Sequence, residues 1–116
     1  YVPYTAYCAK KSYIEKNPEI IQSFTNAIQK GLDYVNSHTS AEIAAVIAPQ
    51  FTETDMDTLT KIVERYKSQD TWKGDTIFTE ESFNLLTDIL KQAGELNEDV
   101  PYDKLVDTSF SEKSVK

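Results

Sequence analysis

The stretch NPEIIQSFTNAIQKGLDYV, residues 17–35, decides the fold class of this chain. Asn17 supplies an N-cap side chain, Pro18 suits the first helical position because its missing N–H would find no partner there anyway, and Glu19 suits the positive end of the helix dipole. Ile20, Phe24, Ala27, Ile28, Gly31 and Val35 then recur at helical spacing, which predicts a helix over 17–37 with one apolar face turned inward. Gly31 costs about 1 kcal/mol relative to Ala in a helix interior, so its presence predicts close packing against a neighbouring element.

The same logic extends in both directions. Thr39-Ser40-Ala41-Glu42 is a capping box that opens a helix over 40–48, with Ile43, Val46 and Ile47 inward and Pro49 beyond it. Thr52 or Thr54 is expected to cap a helix over 54–68 carrying Met56, Leu59, Ile62, Val63 and Tyr66. Thr79 caps another over 79–93, with Phe83, Leu86, Ile89, Leu90 and Ala93 on one stripe and Gly94 as its stop. Residues 69–76 read as a loop, 101–106 as one helical turn begun by Pro101, and 111–116 as frayed. Towards the start, residues 4–10 are rich in Tyr and Thr and read as one strand ended by Lys10 and Lys11. Nothing else in the chain reads as a strand, so its ladder must be completed by chain outside this stretch or by another molecule.

Composition narrows the function. The 116 residues fit one domain, with no internal repeat, and 40% hydrophobic with 27% charged residues is the balance of a globular chain. A net charge of −7 argues against nucleic acid and anionic membrane surfaces. The cationic cluster Lys10, Lys11 and Lys16 is too small to reverse that, and no apolar run approaches the ~20 residues of a membrane span. A single cysteine, Cys8, permits no internal disulfide, and in its apolar run it is expected to be a buried structural thiol.

Candidate chemistry is sparse. Glu53, Asp55, Asp57 and Glu64 have the spacing of a calcium-binding helix-loop-helix, but Thr58 stands where the turn needs glycine and a helical stripe runs through the supposed loop. Glu80 and Glu81 point about 100° apart on a helix and suit its first turn rather than a catalytic pair. His38 has no second ligand at metal spacing, and Cys8 has no nearby base. Trp72, between Asp70 and Lys73-Gly74, offers a flat surface and one donor for a ligand, against the alternative that it folds over the core edge. No catalytic residue, metal site or cofactor is expected.

The ordered series Val2-Pro3-Tyr4-Thr5, Lys16-Asn17-Pro18-Glu19, Ala27-Ile28-Gln29-Lys30-Gly31, Arg65-Tyr66-Lys67, Asp70-Thr71-Trp72, Gln92-Ala93-Gly94-Glu95-Leu96 and Val106-Asp107-Thr108-Ser109-Phe110 resembles the C-terminal part of one family. These are the ABC-importer solute-binding proteins of nitrate, sulfonate and taurine type, including binders of the thiamine pyrimidine precursor. The resemblance implies a mostly α piece of a two-lobed α/β periplasmic-binding-protein-like fold, with residues 1–116 forming its C-terminal segment and no separate second domain. It implies an extracytoplasmic protein, periplasmic or lipid-anchored, that captures a small molecule without catalysing a reaction and docks on a membrane permease. Thr5-Ala6-Tyr7 before Cys8 does not match a lipid-anchoring cysteine, which puts any such anchor upstream. Tyr4 and Thr5, near the crossing between lobes, and Trp72 are the ligand-binding candidates, and uncovered lobe-facing surface would let the isolated piece self-associate. Two alternatives remain at this point: a pyrimidine synthase of the same fold family using its own histidine and a pyridoxal cofactor, and a small helical adaptor domain.

Overall fold

A computed structural model describes residues 2, 3 and 5–116. In order along the chain come α1 (Lys11–Lys16), α2 (Pro18–Ser37), α3 (Ser40–Ile47), a 3₁₀ turn (Ala48–Gln50), α4 (Met56–Ser68), α5 (Glu80–Gln92), α6 (Tyr102–Leu105) and α7 (Ser109–Ser114). The chain is therefore mostly helical.

No strand forms among the described residues. The expected strand over 4–10 has Tyr4 outside the described residues, and residues 5–10 carry no regular structure. The physical reason is the one the sequence supplies: a strand needs a neighbour for its N–H and C=O groups, and the other described elements are helices. Lys11–Lys16, where the cationic strand end was expected, is instead a helical turn and a half with no side-chain cap. Residues 111–116, expected to fray, lie largely in α7, whose Ser111 is buried.

The described residues group into two compact units: Asn26–Thr76, and Tyr1–Thr25 with Ile77–Lys116. In Asn26–Thr76, α3 packs on α4 and buries Ile43, Ala44, Leu59 and Val63. Tyr34, Val35, Ile47, Ala48 and Trp72 surround that cluster. Thr39 caps α3 reciprocally: its Oγ1 accepts from Glu42 N at 3.3 Å while Glu42 Oε2 accepts from Thr39 N at 2.8 Å. The cap of α4 is Asp55, not Thr52 or Thr54, with Oδ1 accepting from Thr58 N at 2.9 Å and Oδ2 from Thr58 Oγ1 at 2.7 Å. A carboxylate offers two acceptors at that position, so it satisfies a backbone and a hydroxyl donor together.

In the other unit the core is smaller and aromatic. Phe83 of α5 is 7% exposed and meets Phe78 and Tyr102 edge-on, with centroids 6.0 and 5.6 Å apart. The Tyr102 hydroxyl donates to Phe78 O. Gln22 of α2 ties α7 down by donating from Nε2 to Phe110 O at 2.9 Å and Ser114 Oγ at 3.2 Å.

The ends of α4 and α5 are built alike. Gly94, at φ 77°, sends its N–H to Lys91 O while Glu95 N–H reaches Leu90 O. Asp70, at φ 51°, sends its N–H to Lys67 O while Thr71 N–H reaches Tyr66 O. The second end has no glycine to announce it, because Asp is among the few side-chain-bearing residues that tolerate this left-handed region.

The apolar stripe of α2 is covered at Val35, which packs on the α3–α4 cluster, but not at its start. Ile20 and Phe24 stay 54% and 46% exposed, and a Cβ built on Gly31 meets nothing within 4 Å, so the close packing expected there does not occur. The deeply buried residue of this helix is Gln29, 4% exposed.

Candidate functional site

The loop between α4 and α5 is held from beneath by Gln29. Its Nε2 donates to Gly74 O at 3.1 Å and to Asp33 Oδ1 at 2.9 Å, and its Oε1 accepts from Thr76 N at 3.1 Å. A buried amide costs free energy unless both ends are bonded, and here both are. Trp72 rides on this loop, half-buried against the core cluster and edge-on to Tyr66 with centroids 5.6 Å apart and planes at 85°. Asn26–Thr76 thus presents a fixed loop rather than a loose one.

Lys67 closes the far end of α2. Its ammonium donates to Val35 O at 2.9 Å and His38 O at 2.6 Å, placing a cation where the helix dipole is negative and carbonyls lack partners. His38 stacks on Tyr34 at 3.7 Å. Its Nδ1 lies 2.9 Å from Tyr34 O, a pure acceptor, so that nitrogen carries the proton. Ser37 Oγ is 3.0 Å from the same nitrogen but gives its own proton to Asp33 O at 2.7 Å. A protonated Nδ1 cannot draw a proton from Ser37, so this neighbouring pair is not an activated nucleophile.

The resolved pKa shifts also sit at structural bonds. The Thr39 N–H holds the Glu42 carboxylate below its usual range, and the Thr58 N–H does the same for Asp55. The hydrogen bond with Asp99 raises Lys91, and burial raises Tyr102. Shifts that mark a reactive cleft gather around it, whereas these lie at helix caps, at a surface ion pair and in an aromatic core.

The candidate ligand residues fall as follows. Thr5 is exposed in one unit, Trp72 is half-buried in the other, and Tyr4 lies outside the described residues. Cys8, expected to be buried, is exposed, because residues 5–10 have no element lying over them. Its thiol lies 3.9 Å from Ala6 O. Among the described residues there is no group of three or more His, Cys, Asp or Glu able to hold a metal ion, and no helix long and apolar enough to cross a membrane. Sequence reasoning missed Gln29. The signal was available: Gln22 and Gln29 are seven residues apart and share the α2 face opposite the apolar stripe.

With the geometry established, comparison with known proteins adds the family. Residues 2–41 match the model of a family described as NMT1/THI5 like. Over 112 residues, 97% of this chain, the sequence is 38% identical to a Bacillus subtilis (strain 168) protein named "Putative binding protein YtlA". The match over residues 2–41 and the 38% identity to that relative support a fragment of the NMT1/THI5-like family. It spans 34% of the length of that relative. No solved structure matches it. In Asn26–Thr76, Trp72 is half-buried against the core cluster and the loop around it is bonded to Gln29.

Proposed function

We propose that this chain is the C-terminal segment of an extracytoplasmic solute-binding protein that delivers a small molecule to the membrane permease of an ABC importer. The observation that carries the reading is the likeness along 97% of the chain to a protein named as a binding protein. The ligand class is a sulfonate, a nitrate- or taurine-like anion, or a thiamine pyrimidine precursor, held between two α/β lobes by reversible closure. Reversible capture needs complementary contacts and no nucleophile, metal or cofactor, and the segment is assigned no catalytic role.

In this reading the irregular segment 5–10, together with Tyr4, becomes a strand when the longer protein supplies its neighbour. Tyr4 and Thr5 stand near the crossing between lobes, and Trp72 is the third candidate for ligand contact.

Isothermal titration calorimetry of the whole protein with taurine, an alkanesulfonate, nitrate and the thiamine pyrimidine tests this. Saturable one-to-one binding of one of them is expected. Binding of none, or consumption of pyridoxal phosphate by the protein, overturns it.

A further inference from the structure

We infer that the whole protein associates with a second copy of itself, the outer stripe of α4 in one molecule seating on the outer stripe of α5 in the other. On α4, Lys61 and Arg65 lie one turn apart, and Ile62 and Tyr66 lie one turn apart in the next row. Both cations are exposed, and Ile62 and Tyr66 stay 40% and 44% exposed. On α5, Glu81, Leu85 and Ile89 form one row, and Asp88, three residues after Leu85, stands beside it. Leu85 and Ile89 stay 44% and 45% exposed, and both carboxylates are exposed. The ion pairs among the described residues are Lys73 with Asp75 and Lys91 with Asp99, so Lys61, Arg65, Glu81 and Asp88 take part in none of them.

Charge complementarity names the occupant. A basic edge on an apolar pair stands out on a chain of net charge −7, and the acidic edge that matches it, with its own apolar pair, is carried by the same sequence. Seated together, the stripes cover Ile62, Tyr66, Leu85 and Ile89 and set two cations opposite two carboxylates, an apolar centre with a charged rim. Repulsion between two acidic molecules decays over a Debye length of about 8 Å at physiological salt, so charges in contact outweigh those elsewhere on the surface. The contact is small, which sets association at about 10–100 μM rather than at nanomolar concentration.

Sedimentation velocity of the whole protein from about 1 to 500 μM tests this. The sedimentation coefficient is expected to rise with concentration. Lys61→Glu with Arg65→Glu in one variant, and Glu81→Lys with Asp88→Lys in another, should each weaken association about 100-fold, because like charges then face each other. All four positions are exposed, so far-UV circular dichroism should be unchanged in both variants. Should either double reversal unfold, Arg65→Glu and Asp88→Lys alone carry the same comparison with changes of about 10-fold. An equimolar mixture of the two variants re-creates opposite charges across the contact and should associate again. A single monomeric species throughout, association that neither reversal weakens, or a mixture that stays monomeric overturns the inference.

Discussion

Within Asn26–Thr76, the helices α3 and α4 close on each other and leave Ile43, Ala44, Leu59 and Val63 with almost no exposure, while Gln29 secures the loop that follows. In the other unit Phe83 is the buried apolar residue, and Tyr7, Ile20 and Phe24 stay open to solvent. The difference teaches that apolar periodicity does not say where a stripe is satisfied. The short helices α3 and α4 bury their own facing sides, whereas the start of the α2 stripe, just as periodic, stays exposed.

The largest effect should separate the two regions directly. In the 116-residue chain Leu59→Ala removes buried methyl groups from a packed cluster and should cost about 3 kcal/mol. Ile20→Ala, at an open position, should change stability by less than about 0.5 kcal/mol. Urea unfolding followed by Trp72 fluorescence measures the first, and far-UV circular dichroism follows both. Comparable losses at the two positions would break the contrast.

A middling effect sharpens it. Gln29→Leu keeps the side chain's bulk but leaves Gly74 O and Thr76 N without their amide partner, and should cost about 2 kcal/mol. The same change should alter the emission of Trp72, the one tryptophan in the chain, because its loop is tied through Gln29. An unchanged spectrum with unchanged stability would show that the loop is held by the core contacts of Trp72 alone.

The smallest effect is pH dependence, with opposite signs in the two regions. Glu42 and Asp55 in Asn26–Thr76 titrate below their ordinary values of 4.5 and 3.8. Their contribution is complete above those values and is lost as pH falls through the depressed ones, so acid should weaken this unit. Tyr102 in the other unit is raised above 10.0 by burial, so its contribution is complete below pH 10.0 and is lost as pH rises through the raised value. Circular dichroism at pH 3 and pH 11, with Trp72 emission as the local reporter, checks the asymmetry. Simultaneous loss of both regions at both extremes would refute it.

What could be read from the residues follows the range of the interactions involved. Thr39 with Glu42, Thr79 and Gly94 mark helix ends through bonds to atoms three to five residues away, so the sequence contains the whole interaction. The start of α4 was harder, because Thr52, Thr54 and Asp55 are all capable caps and only the backbone path chooses Asp55. The end of α4 at Ser68 lies where the sequence put it, but the left-handed residue that makes the stop, Asp70, was not visible, since that region is permitted but not typical for Asp. Trp72 could be singled out by type, but its half-burial against Tyr66 depends on a cluster assembled from α3 and α4.

By itself, then, the sequence determined the helical character and most helix ends, which depend on near neighbours and residue types. Tertiary structure alone decided that Gln29 rather than Gly31 is the tight spot of α2, that Cys8 is open, and that α1 and α7 form. Burial depends on which surfaces meet, and surfaces brought together from distant parts of a chain leave no mark at short range in the sequence.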